Sequence, residues 1–228
     1  EAGEVVGSKE VDDVNRGWFV GKDISAIWDH EFIGIWQEDE AEEAAKYGQQ
    51  PGDAKVRDVN GDYKITQEDK VFLGQETPKF RWSFRNEFTL FRNWDISLNL
   101  YSQMGHKQST TEYLNFFDNL GDYSNTYKRE YWTPENKSNS YARLKSTRPS
   151  NINPKKVINK GFIRLENISV SYRVPQQFAR KLMAKEISIY GTVRNVAVWA
   201  FDKEWDYWDP ETKGLLPRTF TFGASITF

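Results

Sequence analysis

The sequence is marked first by what it lacks. Its 228 residues include no cysteine and only 2 histidines, which excludes disulfides, thiolate metal sites and cysteine nucleophiles and leaves little for a histidine-rich metal site. The chain also has no large excess of charge of one sign, because 31 Lys and Arg residues nearly balance 33 Asp and Glu residues and give a net charge of -2. This near-neutrality removes the electrostatic case for nucleic acid as the main partner.

Long apolar runs are absent too. The longest, from Val196 to Phe201, has about six residues, whereas a membrane-spanning helix needs roughly 20. Hydrophobic residues make up 38% of the chain, yet 9 Trp, 11 Tyr and 15 Phe raise the aromatic share to 15%. The apolar surface of this chain is therefore concentrated in rings more than in Leu, Ile and Val.

Alternation of apolar and polar residues is the clearest pattern present. In 80–91 the even positions are apolar apart from Asn86, and the odd positions from 81 to 89 are polar. A period of two predicts a β-strand with one apolar and one polar face. The same pattern predicts strands over 94–104, 167–174 and 217–228, and less regular strands over about 24–36 and 186–200. Arg92 and Asn93, which alone separate the first two runs, predict a tight hairpin.

Two all-β folds produce such alternation. One is a soluble antiparallel sandwich, whose sheets also have one apolar and one polar face. The other is a transmembrane barrel, whose tilted strands need about 9–11 residues, against about 5–6 in globular proteins. The long runs of this chain, with Phe and Trp near their ends, favour the barrel.

The lengths of the predicted loops favour the barrel as well. The gaps fall at 37–79, 92–93, 105–160, 175–185 and 201–216, so long and short connections alternate. Outer-membrane barrels place short turns on the periplasmic side and long loops outside. We therefore expect an all-β, antiparallel transmembrane barrel wall of about six strands, in which 37–79 and 105–160 are long extracellular loops carrying short helices.

The first long loop contains a candidate cation site. Residues 38–48 predict a short acidic helix ending at Gly48, and an EF-hand-like pattern of oxygen ligands follows it. Three side chains at positions 1, 3 and 5, a backbone carbonyl at position 7 and a carboxylate at position 12 would bind Ca²⁺ in a structural role: Asp58, Asn60, Asp62, Lys64 and Asp69. Tyr63 stands where such loops have Gly, and an Asx-turn-rich surface loop without metal is the alternative.

A polar aromatic cluster lies in the last long loop. Trp205, Tyr207 and Trp208 alternate with carboxylates, a composition that can stack on sugar rings and hydrogen-bond their hydroxyls. The alternative is a loop that packs its own rings at a membrane interface. Acidic residues in one loop do not show the paired acid and base of a glycosidase, so we predict no enzymatic activity. The other function left open is a soluble, calcium-stabilised β-sandwich that binds glycans through these rings.

An ordered set of short segments resembles the C-terminal region of the SusC/RagA family of TonB-dependent outer-membrane transporters of Bacteroidetes. The segments cover nearly the whole chain: 21–28, 34–37, 47–49, 51–53, 58–62, 73–74 with Pro78, 131–136, 162–169 with Tyr172 and Pro175, Asn195, 209–211 and 217–223 with the final Phe228. Members of the family often have Gly where this chain has Tyr63.

The resemblance implies a 22-stranded barrel in the outer membrane, with a plug and a TonB-contacting segment in an N-terminal part that this chain lacks. It also implies a SusD-like surface lipoprotein as a partner, and uptake of oligosaccharides or peptides. On that reading, 1–228 is the C-terminal part of the receptor barrel, and the remaining strands and plug come from the same or a separate chain. The chain begins at Glu1 with no Met or signal pattern, so we expect either a removed signal or an internal fragment.

Overall fold

The computed structural model describes residues 11–110, 130–152, 154–206 and 208–228. Within these ranges the strands are Ala26–His30 (β1), Phe32–Ile35 (β2), Ala54–Val56 (β3), Lys70–Gln75 (β4), Phe80–Leu90 (β5), Trp94–Met104 (β6), Lys107–Thr110 (β7), Lys156–Asn159 (β8), Phe162–Arg173 (β9), Glu186–Ala200 (β10) and Thr219–Thr227 (β11). The helices are Ala41–Lys46 (α1) and Gln176–Ala179 (α2), with 3-10 turns at Glu38–Glu40, Gln67–Asp69, Pro149–Asn151, Arg180–Leu182 and Lys203–Trp205. No helix in the described ranges is both long and apolar enough to span a lipid bilayer.

The chain forms two compact units. The first comprises residues 1–77 and 107–159, and the second comprises residues 78–106 and 160–228. The first unit therefore takes in most of both predicted long loops, of which residues 111–129 and 153 lie outside the described residues. That these loops are extracellular stays a prediction.

The second unit is built on a five-stranded antiparallel sheet in the order β11-β10-β9-β6-β5. The strands follow one another in chain order, so the sheet is a simple meander. Four of its five strands have 11 to 15 residues, and the last has 9, lengths that fit a tilted bilayer crossing. The five predicted strands from Phe80 onward are confirmed, and the antiparallel all-β fold class with them.

The predicted strand over 24–36 is wrong as a member of this sheet. It divides at Glu31 into β1, which pairs with β4, and β2, which pairs with β3. Gly34 has a φ of 139°, and the register of β2 shifts between Phe32 and Gly34. Glycine permits this backbone, and it adds an irregularity within β2, whereas the break that ends the long predicted strand lies at Glu31. In the described residues this sheet therefore has five strands.

The first unit has a small core that joins distant segments. Ile35 and Ala54 pack with Trp132 and Ala142, so residues on both sides of β5 and β6 in the sequence share one cluster. Asp53, fully buried, accepts hydrogen bonds from the Arg143 Nε and the Thr147 N–H, each at 2.8 Å.

The predicted acidic helix is confirmed. A 3-10 turn leads into α1, which ends at Lys46. Gly48 takes a φ of 67°, and the Gln49 N–H donates to the Ala44 carbonyl at 3.0 Å. This is the left-handed end for which glycine is favoured.

Candidate functional site

One face of the five-stranded sheet is apolar across its whole width. Phe88, Ile96, Val170, Gly191 and Phe222 are successive partners in one row of the sheet. On one side the surface continues with the row of Asn86, Leu98, Ile168, Val193 and Phe220 and then with Phe84, Leu100, Leu165 and Ala197. On the other side it continues with Leu90, Trp94, Tyr172, Ile189 and Ala224. Many of these side chains are exposed, including Phe84, Phe88, Phe220 and Phe222. A contiguous exposed apolar surface of this kind marks contact with lipid or with another apolar partner.

The opposite face of the same sheet is polar. Its corresponding row consists of Glu87, Ser97, Ser169, Thr192 and Thr221. Hydroxyl groups face each other along it, and the Ser169 and Thr192 oxygens are 2.9 Å apart. An apolar face backed by a polar face is the arrangement of a membrane barrel wall with an aqueous interior.

Both edges of the sheet are open in the part of the chain that the structure describes. The edge strands β5 and β11 are each paired on one side only. Their free backbone N–H and C=O groups have no ladder partner, which is costly in lipid and invites pairing with further strands.

Arg164 is a buried charge on the polar face, near the end of the sheet from which the loop 201–218 leaves β10. Its guanidinium donates to the Asp209 carboxylate at 2.6 Å and to the Asn195 side-chain oxygen at 2.7 Å, and it lies 3.4 Å from the Glu211 carboxylate. The side chains of Arg164 and Asp209 are only 2% and 5% exposed. The contact attaches the loop 201–218 to the sheet.

Two strand residues extend this polar cluster. The Tyr101 hydroxyl donates to Glu211 at 2.5 Å, and the Gln103 amide donates to it at 3.2 Å. A cavity of about 280 Å³ opens beside Arg164, lined also by Tyr101, Arg194 and Pro217. Sequence reasoning missed Arg164, which precedes the alternating run 167–174, and no local pattern in the sequence pairs it with an anion.

The predicted aromatic cluster is only partly accessible. Trp205 is 7% exposed and Trp208 is 37% exposed, while Tyr207 lies outside the described residues. Only Trp208 of the two described rings therefore has a substantial face open within this chain. Asp209, one of the carboxylates beside them, is engaged by Arg164, so it is not a free acid or base for glycoside hydrolysis.

The predicted cation loop is a series of Asx turns. The Asp58 carboxylate accepts from the backbone N–H groups of Gly61 and Tyr63 at 2.6 and 2.9 Å. Asn60 accepts from the Asp62 N–H at 3.0 Å, and Asp62 accepts from the Lys64 N–H at 2.8 Å. Tyr63 has a φ of 62°, so this tyrosine adopts the left-handed turn that EF-hand loops usually assign to glycine at the same position.

Asp69 closes this loop from within the fold. Its two carboxylate oxygens accept from the Val59 and Thr66 N–H groups at 2.9 and 2.7 Å. Burial opposes ionisation of this carboxyl, but these backbone donors, with that of Asn60, lower its pKa. Within the described ranges, no three His, Cys, Asp or Glu side chains are grouped to hold a metal ion.

Tyr47 joins helix α1 to the same loop. Its hydroxyl donates to the Asp58 carboxylate at 3.2 Å. Burial and the Asp58 charge raise the pKa of Tyr47 to about 12, so the hydroxyl remains a donor at neutral pH. Asp58 thus carries three hydrogen bonds from the protein itself.

Known proteins match this chain over most of its length. No family model matches it. Two proteins of Formosa agariphila do: TonB-dependent receptor P26 is 25% identical over 94% of this chain, and TonB-dependent receptor P3 is 23% identical over 91%. The aligned regions are 24% and 22% of those proteins, so the chain spans about a quarter of the length of the relatives it matches.

Solved structures share the fold. A structure of the RagAB peptide transporter superposes on 89% of this chain with a TM-score of 0.61 and 16% identity, covering 23% of the matched chain. The RagAB peptide importer in its closed-closed state gives a TM-score of 0.58 at 17% identity over the same share of this chain. Together with the Formosa receptors, these matches confirm the resemblance found in the sequence.

Proposed function

We propose that this chain, a relative of the SusC/RagA TonB-dependent transporters, forms part of the barrel wall of an outer-membrane importer. The observation that carries the proposal is the five-stranded meander with an exposed apolar face, a polar opposite face and two open edges. In a barrel, the apolar face contacts the lipid bilayer and the polar face contacts an aqueous lumen. The open edges form backbone hydrogen bonds with further strands.

The soluble glycan-binding sandwich is not supported by the sheet arrangement. A sandwich needs a second large sheet to cover the apolar face of the first. In the described residues, the three other sheets have two strands each. Since the matched proteins are named as receptors and transporters, transport and not catalysis is the activity we propose.

The partners follow from the family. We propose that a plug and a TonB-contacting segment outside this chain supply energy coupling, and that a SusD-like surface lipoprotein delivers the cargo. The cargo is an oligosaccharide or a peptide. The matched RagAB structures are of a peptide transporter, which supports the second class, whereas the exposed ring of Trp208 supports contact with either.

Uptake in whole cells tests this function. Cells that lack the complete protein would be supplied with a labelled oligopeptide mixture or a labelled oligosaccharide mixture. We expect uptake of one class to fall and to return with the wild-type protein, and we expect that uptake to stop when the proton-motive force is collapsed. Unchanged uptake of both classes, or recovery of the protein outside the outer-membrane fraction, would refute the proposal.

The loop 58–69 is the second feature for which we propose a role, and that role is structural. We propose that Asp58, Asn60, Asp62 and the Lys64 carbonyl bind Ca²⁺ with the help of Asp69. The left-handed φ of Tyr63 supports this because it gives the loop the backbone that such sites require. The carboxylate and amide oxygens retain lone pairs beyond those used by the backbone donors.

A further inference from the structure

The turn between β9 and β10, residues 174–185, is an ordered structure that displays apolar side chains. Val174, Ala179, Ala184 and Ile187 form a small cluster beneath it, and the Val174 N–H donates to the Ile187 carbonyl at 2.9 Å. Met183 has a φ of 59° and donates its N–H to the Arg180 carbonyl at 3.0 Å. The backbone thus fixes the turn without the outward side chains.

Those outward side chains are large and apolar. Met183 is 87% exposed, and Leu182 and Phe178 beside it are also exposed. The fold holds them away from the cluster beneath. Since nothing in the second unit covers them among the described residues, this turn is built to contact an external apolar phase.

The charge of the same turn is entirely positive. Residues 174–185 contain Arg180, Lys181 and Lys185 and no acidic residue. The Lys185 ammonium donates to the Phe228 carbonyl at 2.8 Å, whereas Arg180 and Lys181 have no ion pair in the described part of the chain. The loop at the other end of β10, residues 201–218, carries five acidic and three basic residues, so the two connections of β10 differ in the sign of their net charge.

A second turn on the same end of the sheet repeats the combination. β5 and β6 are joined by 91–93, where Phe91 is 88% exposed and is followed by Arg92. The sheet register places this turn beside the first, because Trp94 pairs with Tyr172 and their rings lie 4.7 Å apart. Exposed apolar groups and unpaired cations therefore share one end of the wall.

We propose that this end, the basic edge formed by 91–93 and 174–185, binds anionic phospholipid. The inference rests on the proposed position of the sheet in a bilayer. Phe91, Leu182 and Met183 enter the acyl boundary, as aromatic and apolar groups do at membrane interfaces. Arg92, Arg180 and Lys181 contact the headgroup phosphates, because basic residues beside a bilayer attract anionic lipids.

Lipid binding to the complete protein tests the proposal. The protein is purified in a nonionic detergent and titrated with phosphatidylglycerol or with phosphatidylcholine of the same acyl chains, and bound lipid is counted by native mass spectrometry. We expect tighter binding of phosphatidylglycerol, weakened by salt. Arg180→Gln with Lys181→Gln should weaken it roughly 30-fold at low salt, which is about fivefold for each cation.

The matched control removes two cations from the opposite end. Lys203 and Lys213 are exposed in the loop 201–218, and Lys203→Gln with Lys213→Gln should leave phosphatidylglycerol binding unchanged. Leu182→Ser with Met183→Ser should weaken both lipids equally, since these side chains meet acyl chains and not headgroups.

Three outcomes would overturn the basic edge: equal affinity for the two lipids, no effect of the Arg180 and Lys181 changes, or an equal loss in the control variant. A fourth result would also overturn it: if residues 174–185 bind another protein and the chain shows no preference between the two lipids, the partner of this surface is a protein and not lipid. A protein that transports its cargo from the outer membrane but shows no preference disproves this inference alone, whereas a protein absent from that membrane disproves the proposed function.

Discussion

Arg164 shows how a single residue organises the polar face. A buried guanidinium pays a desolvation cost that only well-placed partners offset, and Asp209, Asn195 and Glu211 supply them. All three lie far from Arg164 in the sequence. The contact therefore fixes the loop 201–218 against the sheet and determines which side chains of that loop reach the lumen.

Replacing this arginine should release the loop. Arg164→Gln leaves the Asp209 carboxylate buried without its cation, which typically costs about 3–5 kcal/mol. We expect much faster hydrogen exchange of the amides of 201–218 in the complete protein. Arg218→Gln, which removes a bond from an exposed guanidinium to the Val196 carbonyl, should change exchange little. Equal exchange in wild type and Arg164→Gln would contradict the anchoring role.

The cation loop makes a second prediction at the residue scale. Adding Ca²⁺ to metal-free complete protein should raise its unfolding temperature, because a ligand that binds only the folded state stabilises it by mass action. Asp62→Ala should abolish the increase, since it removes one of the four side-chain ligands. Glu42→Gln, on the nearby helix α1, should preserve it. A wild-type protein with the same unfolding temperature in Ca²⁺ and in chelator would leave the loop as an Asx-turn structure alone.

At the scale of elements, the alternating pattern predicted strands correctly where the pairing with neighbouring strands is regular. Phe80–Leu90 and Trp94–Met104 pair residue for residue without a shift, so the pattern of each strand is a direct record of its two faces. The hairpin between them differs in detail from the prediction, because Phe91 and Arg92 occupy the positive-φ positions, with the Asn93 N–H donating to the Leu90 carbonyl at 3.2 Å.

The sequence pattern did not predict where the backbone of the strands is irregular. The register of β10 against β9 shifts between Arg194 and Ala197, and Asn195 has a φ of 53°. Such a bulge inserts residues without a change in local polarity, so simple parity fails beyond Arg194. The same limit explains the error over 24–36, where the strand breaks at Glu31 and its partner changes from β4 to β3.

The contacts of the candidate site were the least predictable part. The loop of Asp58 was readable because its residues are close in the chain, whereas Arg164 and Asp209 are 45 residues apart. No periodicity links such a pair. Only the fold, which lays 201–218 against β9, brings them together.

The two faces of the sheet make a paired prediction. Phe84→Arg or Phe222→Arg should destabilise the complete barrel by about 2–4 kcal/mol if the site lies near the bilayer midplane. Ser83→Arg and Thr221→Arg, each one residue away on the polar face, should cost much less because that face meets water. Assembly can be measured as the folded fraction of outer-membrane protein on gels run without heating. Equal assembly of all four variants would contradict the assignment of faces.

At the scale of the whole molecule, the open edges decide how the sheet can exist in a membrane. Among the residues that the structure describes, β5 and β11 are each unpaired on one side of a five-stranded sheet, and the smallest single-chain membrane barrels use about eight strands. Each unsatisfied backbone group in hydrocarbon costs several kcal/mol. The sheet therefore needs further strands on both sides.

This need predicts the behaviour of the 228-residue chain expressed alone. It should fail to give a protease-resistant species in liposomes, whereas the complete protein should give one. Comparison of the two preparations under the same refolding conditions provides the control. A folded, soluble monomer of the isolated chain in the absence of detergent would disprove the open wall.

The first unit has an evolutionary consequence. β6 and β9 pair directly although the segment 107–159 lies between them in the sequence, so the register of the wall does not depend on pairing with this segment. The segment cannot be exchanged by itself, because Trp132 packs against Ile35 and Arg143 binds Asp53. We therefore expect the segments on either side of the β5–β6 hairpin to be inherited as a pair, because recombination that separates them would break their shared core.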